Sequence, residues 1–235
     1  MKILINGNTG LIGFGLGTAF QAMGHQTAMW QEPLKAAFDV FAEFEPDLYV
    51  HAPQEHSRAV IKNLKARPKL RTVAYDKPAF DSLTYRPIQG ISPQYECDVC
   101  HLGAYSPQKL DYLSTVINAG YSVKIYSASH WPIPECVGQL EVSEIPAAYR
   151  GAKICLEFGD DDGAFRVIGC GGVCVCTGAM PNSLFTLTAT HPSNLLQWLT
   201  EPPKPDIIAS IRNEVMEKHT YLQRAGEIIM GLHND

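Results

Sequence analysis

The first 23 residues constrain the fold more than any other part of the chain: an apolar run, Lys2-Ile-Leu-Ile-Asn6, then Gly7-Asn-Thr-Gly-Leu-Ile-Gly13, then an apolar helix through about Met23. A strand with no polar alternation must be covered on both faces, and a strand followed at once by a glycine loop and a helix is the start of a parallel βαβ unit. The alternation continues. A short strand from about Thr27 to Trp30 precedes a helical stretch from Pro33 to Phe44, the strand Asp47-Leu-Tyr-Val-His51, a helix from His56 to about Ala66 and the strand Leu70 to Tyr75. From Lys77 to Tyr95, prolines and aromatics interrupt any periodicity.

A second unit of the same kind starts at Cys97-Asp-Val-Cys-His-Leu102, turns at Gly103 and enters a helix from Pro107 to about Ala119. Tyr121 to Tyr126 is its next strand. A Pro-containing loop and a short helix from Glu144 to Tyr149 lead to the strand Lys153 to Phe158, a helix from Ala164 to Cys170 closed by Gly171-Gly172, and the strand Val173 to Cys176. Residues from Pro192 to Leu199 are helical, Pro202, Pro203 and Pro205 break the chain, and the last thirty residues form a long amphipathic helix or a helix pair. The pattern is α/β: two Rossmann-like halves joined near residue 90 and a terminal helix left over.

Composition narrows the function. At 235 residues, 46% apolar and 18% charged, the chain is long enough for one large domain or two small ones. A net charge of −5 argues against a surface built as a whole to hold nucleic acid. No run approaches the roughly 18 apolar residues of a membrane span, and the N-terminus reads as a strand instead of a signal sequence, so the expected location is cytoplasmic. The seven cysteines read as reduced, mostly buried thiols. A zinc site is weighed at Cys97 and Cys100 and at Cys174 and Cys176. In strands, the second pair shares a face and the first does not, and no metal is expected.

Alone, the loop from Gly7 to Gly13 fits the dinucleotide-binding turn of NAD(P)-dependent extended short-chain dehydrogenases and epimerases. Tyr149-Arg-Gly-Ala-Lys153 adds their YxxxK spacing. That chemistry needs tyrosine and lysine one turn apart on a helix, whereas Gly151 interrupts this pair and Lys153 opens a β-type run. No acid stands directly at the end of the second strand.

The second half carries a different signal. Cys97-Asp-Val-Cys-His-Leu-Gly-Ala-Tyr-Ser-Pro-Gln-Lys-Leu-Asp-Tyr-Leu113, Val123-Lys-Ile-Tyr126 with Trp131, Ala148-Tyr-Arg-Gly-Ala-Lys-Ile-Cys-Leu-Glu-Phe158, Phe165-Arg-Val-Ile-Gly-Cys-Gly-Gly172 and His219-Thr-Tyr-Leu-Gln-Arg224 stand in register over roughly residues 73 to 230. Together they resemble the CgeB-like glycosyltransferases of the GT-B group. The resemblance implies two facing Rossmann-like domains, an acceptor domain over residues 1–92 and a nucleotide-sugar domain over 93–205, with residues 206–235 crossing back as a helix onto the first. It also implies a donor that is a nucleotide-diphosphate sugar, a UDP-sugar first of all, no other cofactor, and a transfer that retains configuration without a metal. The first glycine loop, Gly10 included, would then line the cleft near sugar and acceptor.

Glycosyl transfer needs positive groups where charge grows on the leaving diphosphate. Helix N-termini and cations suit that task, which points to Gly103 and Tyr105 before one helix and to Asp162, Gly163, Ala164 and Phe165 at another. Lys109 falls where the family places a phosphate-binding cation, with an exposed helix lysine as the plain alternative. Lys153 is a second cation of this kind, and Tyr126 ends a neighbouring strand. Arg166 departs from the family: it replaces the glutamate that accepts the donor ribose hydroxyls, which an arginine cannot do. Glu157 or one of Asp160, Asp161 and Asp162 takes over, or Arg166 binds a phosphate or a carboxylated sugar.

In the first half, His51 ends a strand, where α/β sheets place ligands, with Glu55, His56 and Asp76 near. The candidate catalytic groups are His51, Glu55 and Asp76. Between His56 and Ile88 the balance is +6, leaving −11 elsewhere. Arg58, Lys62 and Lys65 share one helix face by their spacing. This stripe is either solvated surface or the seat of a polyanionic acceptor, with DNA bearing a hydroxylated base as the specific candidate. Trp30, Tyr75, Phe80 and Tyr85 are then aromatic residues that stack an extruded base. A binding protein that keeps the fold without catalysis is a third reading, favoured by Arg166 and the short chain.

Overall fold

The computed structural model describes residues 1–6, 11–30, 41, 43–52, 64–75, 77, 79–85, 90, 92–159, 161–177 and 187–232, without the side chains of 11, 12, 161 and 162. Gly10, Glu55, Arg58, Lys62 and Asp76, most of the expected helices at 33–44 and 56–66, and the side chain of Asp162 lie outside these residues. The chain divides into two compact units, Met1–Leu83 with His219–Asp235, and Thr84–Lys218.

The first unit holds β1 (Lys2–Asn6), α1 (Leu11–Ala22), β2 (Gln26–Trp30), β3 (Leu48–His51) and β4 (Arg71–Ala74). Its strands pair in parallel in the order β2-β1-β3-β4. The unbroken apolar run of β1 has its reason here. Ile3 and Ile5 face a core with Leu16, Phe20, Leu48 and Val50, while Leu4 faces the opposite one with Trp30, Phe41 and Tyr49.

The second unit is a five-stranded parallel sheet in the order β7-β6-β5-β8-β9. It is built from β5 (Cys97–Leu102), α2 (Pro107–Asn118), β6 (Val123–Tyr126), β7 (Cys136–Gly138), α3 (Ile145–Gly151), β8 (Ala152–Glu157), α4 (Asp161–Cys170), β9 (Cys174–Cys176), α5 (Pro192–Thr200) and α6 (Pro205–Lys218). Val99, Ile125, Ile154, Leu156 and Val175 form the sheet side of its core, and Leu113, Val116, Leu195 and Leu199 of α2 and α5 close it. The strand order reverses between β5 and β8, so the sheet has a switch point there. The edge strand β7 has no counterpart in the sequence reading. Three residues beside a register shift at Ile125 and Tyr126 are too few to show a period.

The terminal segment is a helix pair. α6 packs on α4 in the second unit, whereas α7 (Tyr221–Gly231) packs on α1 in the first. The sequence reading places domain limits at 92 and 205; the compact units change over at 83/84 and 218/219. The break between the helices has a local cause. Thr220 caps α7, its Oγ1 accepting from Gln223 N at 3.3 Å, and Gln223 Oε1 accepts from Thr220 N at 2.8 Å. The chain is also tied to the first unit on either side of Thr220: Phe80 N donates to His219 O at 2.7 Å and Tyr221 N to Phe80 O at 3.1 Å. Gly15 lets α7 approach α1, because a Cβ there would stand 2.2 Å from the Tyr221 ring.

All seven cysteines are free thiols, and six of them are buried. Cys174 and Cys176 share a face with their sulfurs 3.6 Å apart. Among the described residues, no group of three or more His, Cys, Asp or Glu has a geometry that could hold a metal, and no helix is long and apolar enough to cross a membrane.

Candidate functional site

Two loops flank the switch point of the second sheet, one after β5 and one after β8. The β5 loop enters α2 through Ser106, an extended N-cap whose Oγ accepts from Lys109 N at 3.3 Å, with Pro107 behind it. Side chains of the β6 loop pin it. Trp131 Nε1 donates to Gly103 O at 3.2 Å, Tyr105 N donates to Ser129 Oγ at 3.2 Å, and Ser129 N donates to Ser127 Oγ at 3.0 Å. Lys109, in the first turn of α2, folds back over this loop. Its Nζ donates to Ala104 O at 3.0 Å and stands 5.5 Å from the centre of the Phe158 ring. A cation at the start of α2 thus lies on the Gly103 loop, and a cavity of about 360 Å³ opens on the same loop, lined by Leu102, Gly103, Tyr126, Ser127, Ser129 and Leu140. An anion joined to a flat or cyclic group fits such a place. Gly103, Tyr105, Lys109 and Tyr126 are brought together here, with Tyr105 exposed and edge-on to Trp131 at 5.4 Å.

His101, which the sequence reading quoted only as part of a motif, lies beneath the same loop. It is 2% exposed, and its Nδ1 is 2.9 Å from Leu156 O. Burial first, with the charge of Lys109 adding to it and the Leu156 bond opposing, lowers its pKa to about 4.

The β8 loop is built differently. Gly163, in the first turn of α4, packs directly on the Glu157 carboxylate: a Cβ there would be 2.4 Å from Oε2. Alanine would gain up to about 1 kcal/mol in helix propensity, but overlap with a buried carboxylate costs more. Gly163→Ala is therefore expected to lower folding stability by about 1–2 kcal/mol, read from urea unfolding midpoints. Ala164 and Phe165 are buried, at 0% and 1% exposure, and belong to the packed interior of the second unit.

Arg166 turns inward as well. Its Nε donates to Tyr149 OH at 3.2 Å and its guanidinium lies 5.9 Å from the Tyr85 ring centre. Burial opposes its charge, and Tyr149 and Glu157 more than restore it, so its pKa is raised. The expectation that Arg166 binds a phosphate or sugar carboxylate has this geometry against it: the cation is engaged with groups of its own unit. Glu157 is 4% exposed, and its charge acts on both Tyr149 and Arg166.

The dehydrogenase pair does not form. Tyr149 is fully buried in α3, and burial, followed by the charge of Glu157, pushes its phenol well above the usual range, the reverse of an activated tyrosine. Lys153 stands exposed at the amino end of β8, its Nζ 2.6 Å from Asp98 Oδ1. That is the end of the sheet opposite the Gly103 loop, and it removes Lys153 from the candidate donor residues. The spacing misleads because one of the two residues is helical and the other opens a strand.

In the first unit the carboxyl edge carries His51 and Asn6. His51 Nδ1 is 2.7 Å from Ala52 O, and the ring stacks on Tyr49 at 5.4 Å. Asn6, wholly buried at the end of β1, donates through Nδ2 to Tyr49 OH at 3.1 Å. Lys65 is exposed. Trp30, Tyr75 and Phe80, read as base-stacking residues, are 3%, 8% and 0% exposed and belong to the packed interior. Tyr85 is half-buried under Arg166. A larger open cavity, about 800 Å³ with Glu45, Asp47, Arg67, Lys69 and Arg71, lies at the amino ends of these strands. Parallel sheets bind ligands at the other end.

No family model matches the chain, and no curated protein matches it. Solved structures do. The spinosyn rhamnosyltransferase SpnG aligns over 100% of both chains at 11% identity with a TM-score of 0.59. SnogD, a glycosyltransferase from Streptomyces nogalater, aligns over 98% of this chain and 99% of its own at 12% identity and 0.57. The glycosyltransferase VinC, solved in complex with dTDP, aligns over 100% of both at 10% identity and 0.57. At such identities the likeness is one of architecture: the chain has the α/β fold of the GT-B glycosyltransferases, with a Rossmann-like parallel sheet in each of its two units.

Proposed function

We propose that the protein is a glycosyltransferase of CgeB-like type that moves a sugar from a nucleotide-diphosphate donor to a hydroxyl acceptor. The observation that carries this reading is the Lys109 ammonium held over the Gly103 loop at the N-terminus of α2, beside a cavity of nucleoside size. As the bond from the anomeric carbon to the diphosphate oxygen breaks, its electron pair stays on the diphosphate. Lys109 meets that charge, in a step assigned without a metal, and the acceptor oxygen closes on the anomeric carbon as its proton passes to the departing diphosphate oxygen. The sugar's configuration is retained. The donor is a pyrimidine nucleotide, UDP first and TDP second; the dTDP complex of VinC, whose fold this chain shares, supports the latter.

The first unit is assigned the acceptor. His51 is assigned to hold the transferred sugar or the acceptor hydroxyl, with Glu55 and Asp76 assigned beside it. The stripe of Arg58, Lys62 and Lys65 supports a polyanionic acceptor, DNA with a hydroxylated base, in the cytoplasm. A second reading, binding without catalysis, is favoured by one observation: Arg166 replaces the usual ribose-binding glutamate and is engaged inside its own unit.

Thermal unfolding with UDP-, TDP-, GDP- and CDP-sugars and with NADPH tests the donor. One nucleotide-diphosphate sugar is expected to raise the midpoint by about 5–10 °C at a hundredfold excess over its Kd. A rise with NADPH alone overturns the reading, and binding without transfer in the presence of EDTA and a hydroxylated DNA favours the second. In the transfer assay, the double reversal of Lys62 and Lys65 to glutamate is expected to weaken use of DNA and flatten its salt dependence, with donor binding intact.

A further inference from the structure

The basic tract of the first unit does not end at Lys65. Residues 64–75 hold Lys65, Arg67, Lys69 and Arg71 and no acid. Lys65, Lys69 and Arg71 are exposed, and the Arg67 guanidinium lies 5.6 Å from the centre of the Phe41 ring. Among the described residues, neither Lys65 nor Lys69 has an ion-pair partner. Arg71 donates through Nη1 to Leu232 O at 3.0 Å. Glu45 and Asp47 share the open cavity of about 800 Å³ with Arg67, Lys69 and Arg71, and Asp47 Oδ2 accepts from Lys2 N at 2.7 Å. Their charge makes the side of the tract that follows β4 the more positive.

β4 itself is open. It ends the strand order β2-β1-β3-β4, and its Arg71, Thr72 and Ala74 are exposed. Arg71 N donates to Asp47 O at 3.3 Å and Tyr75 N to His51 O at 2.7 Å. Alternate residues of a parallel strand bond the same neighbour, so the N–H groups of Thr72 and Ala74 point away from β3, outward from the sheet. From Arg71 to Ala74 the strand rises about 10 Å, which matches about three base pairs of duplex DNA. Ala74 is the register partner of His51. The strand edge thus leads from the cations to the residue assigned to the acceptor. Cations on an edge also ward off pairing with another chain, but that role does not account for Lys65, Arg67 and Lys69, which precede the strand.

Resting on the DNA-acceptor reading, we propose that Lys65, Arg67, Lys69, Arg71 and the outward edge of β4 form a docking tract for the phosphate backbone of double-stranded DNA. The cations displace counterions from the phosphates, and the amides of Thr72 and Ala74 donate to phosphate oxygens. The described lining of the cavity holds no aromatic side chain, and Phe41 is wholly buried beneath Arg67. A single strand, which binds by stacking its bases on aromatic rings, finds no platform there among the described residues. The tract holds a duplex by its backbone, without reading sequence, while the base that takes the sugar is presented at the carboxyl end of the sheet.

Fluorescence anisotropy of the whole chain with a labelled duplex of about 20 unmodified base pairs tests this, because binding is then read without sugar transfer. Lys69→Ser with Arg71→Ser is expected to weaken binding about tenfold at about 0.1 M salt and to make the slope of log affinity against log salt shallower by about two. Lys153→Ser with Lys204→Ser removes the same charge from exposed sites of the second unit and is expected to change neither. Equal effects of the two pairs overturn the tract, since net charge alone would explain them. Binding of an oligo-glutamate or a single strand of equal charge as tightly as the duplex overturns it too. Lys65→Ser with Lys69→Ser keeps the bond from Arg71 to Leu232 and decides the matter if the first pair does not fold. If the duplex binds through the tract but no hydroxylated DNA receives a sugar, the tract stands and the DNA acceptor falls. Transfer to hydroxylated DNA that is undiminished in Lys69→Ser with Arg71→Ser keeps the acceptor and removes the tract.

Discussion

Arg166→Leu is expected to cost about 1–3 kcal/mol of folding stability, because it removes a half-buried cation whose charge acts on the buried Tyr149 and Glu157. The guanidinium sits among Tyr149, which is fully buried, Glu157, which is 4% exposed, and the Tyr85 ring. Leucine fills much of the volume but removes the positive charge that acts on the buried Glu157 carboxylate. The loss therefore belongs mostly to what Glu157 suffers, not to the bond Arg166 makes. That distinction is measurable. In a double-mutant cycle, Glu157→Gln added to Arg166→Leu should recover a large part of the loss, giving a coupling of about 1–3 kcal/mol in urea unfolding. Additive losses would show that Arg166 does not compensate Glu157, and would return it to the candidate ligands of the donor.

This cluster also shows why the site was only partly legible in the sequence. Periodicity and glycine position fix most strands and helices of the second unit within one or two residues, because an apolar strand such as Cys97 to Leu102 has one way to be covered. They also place Gly103, Lys109 and Gly163 at helix entrances, where free amides gather. What they cannot give is the direction of a side chain. Arg166 sits one residue after Phe165 in α4 and looks surface-bound until its bond to Tyr149 of α3 is seen. His101 is read as one more residue of a buried strand, and only the orphaned Nε2 beneath Gly103 sets it apart. Tyr149 and Lys153 fail in the opposite sense, since the right spacing falls across a change from helix to strand. β7 leaves no signal because three edge residues hold no pattern.

The two lysines chosen as donor cations make the most direct comparison of pattern with geometry. Lys109→Ala is expected to weaken binding of a nucleoside diphosphate by about 10- to 100-fold, as loss of a charge-assisted contact worth roughly 1.5–3 kcal/mol implies. Lys153→Ala is expected to leave it within about twofold, because an exposed ion pair contributes little beyond its own site. Titration calorimetry of each variant with UDP and with TDP reads both values on one scale. Lys109 is at the carboxyl end of β5, half-buried over the Gly103 loop, and its ammonium already bonds a carbonyl that a phosphate oxygen would replace. Lys153 is at the amino end of β8, against Asp98. A weakening of both variants alike would mean that nucleotides bind through net charge alone. A weakening by Lys153→Ala only would place the nucleotide at the wrong end of the sheet for the Rossmann-like unit described, and with it the leaving group away from Lys109.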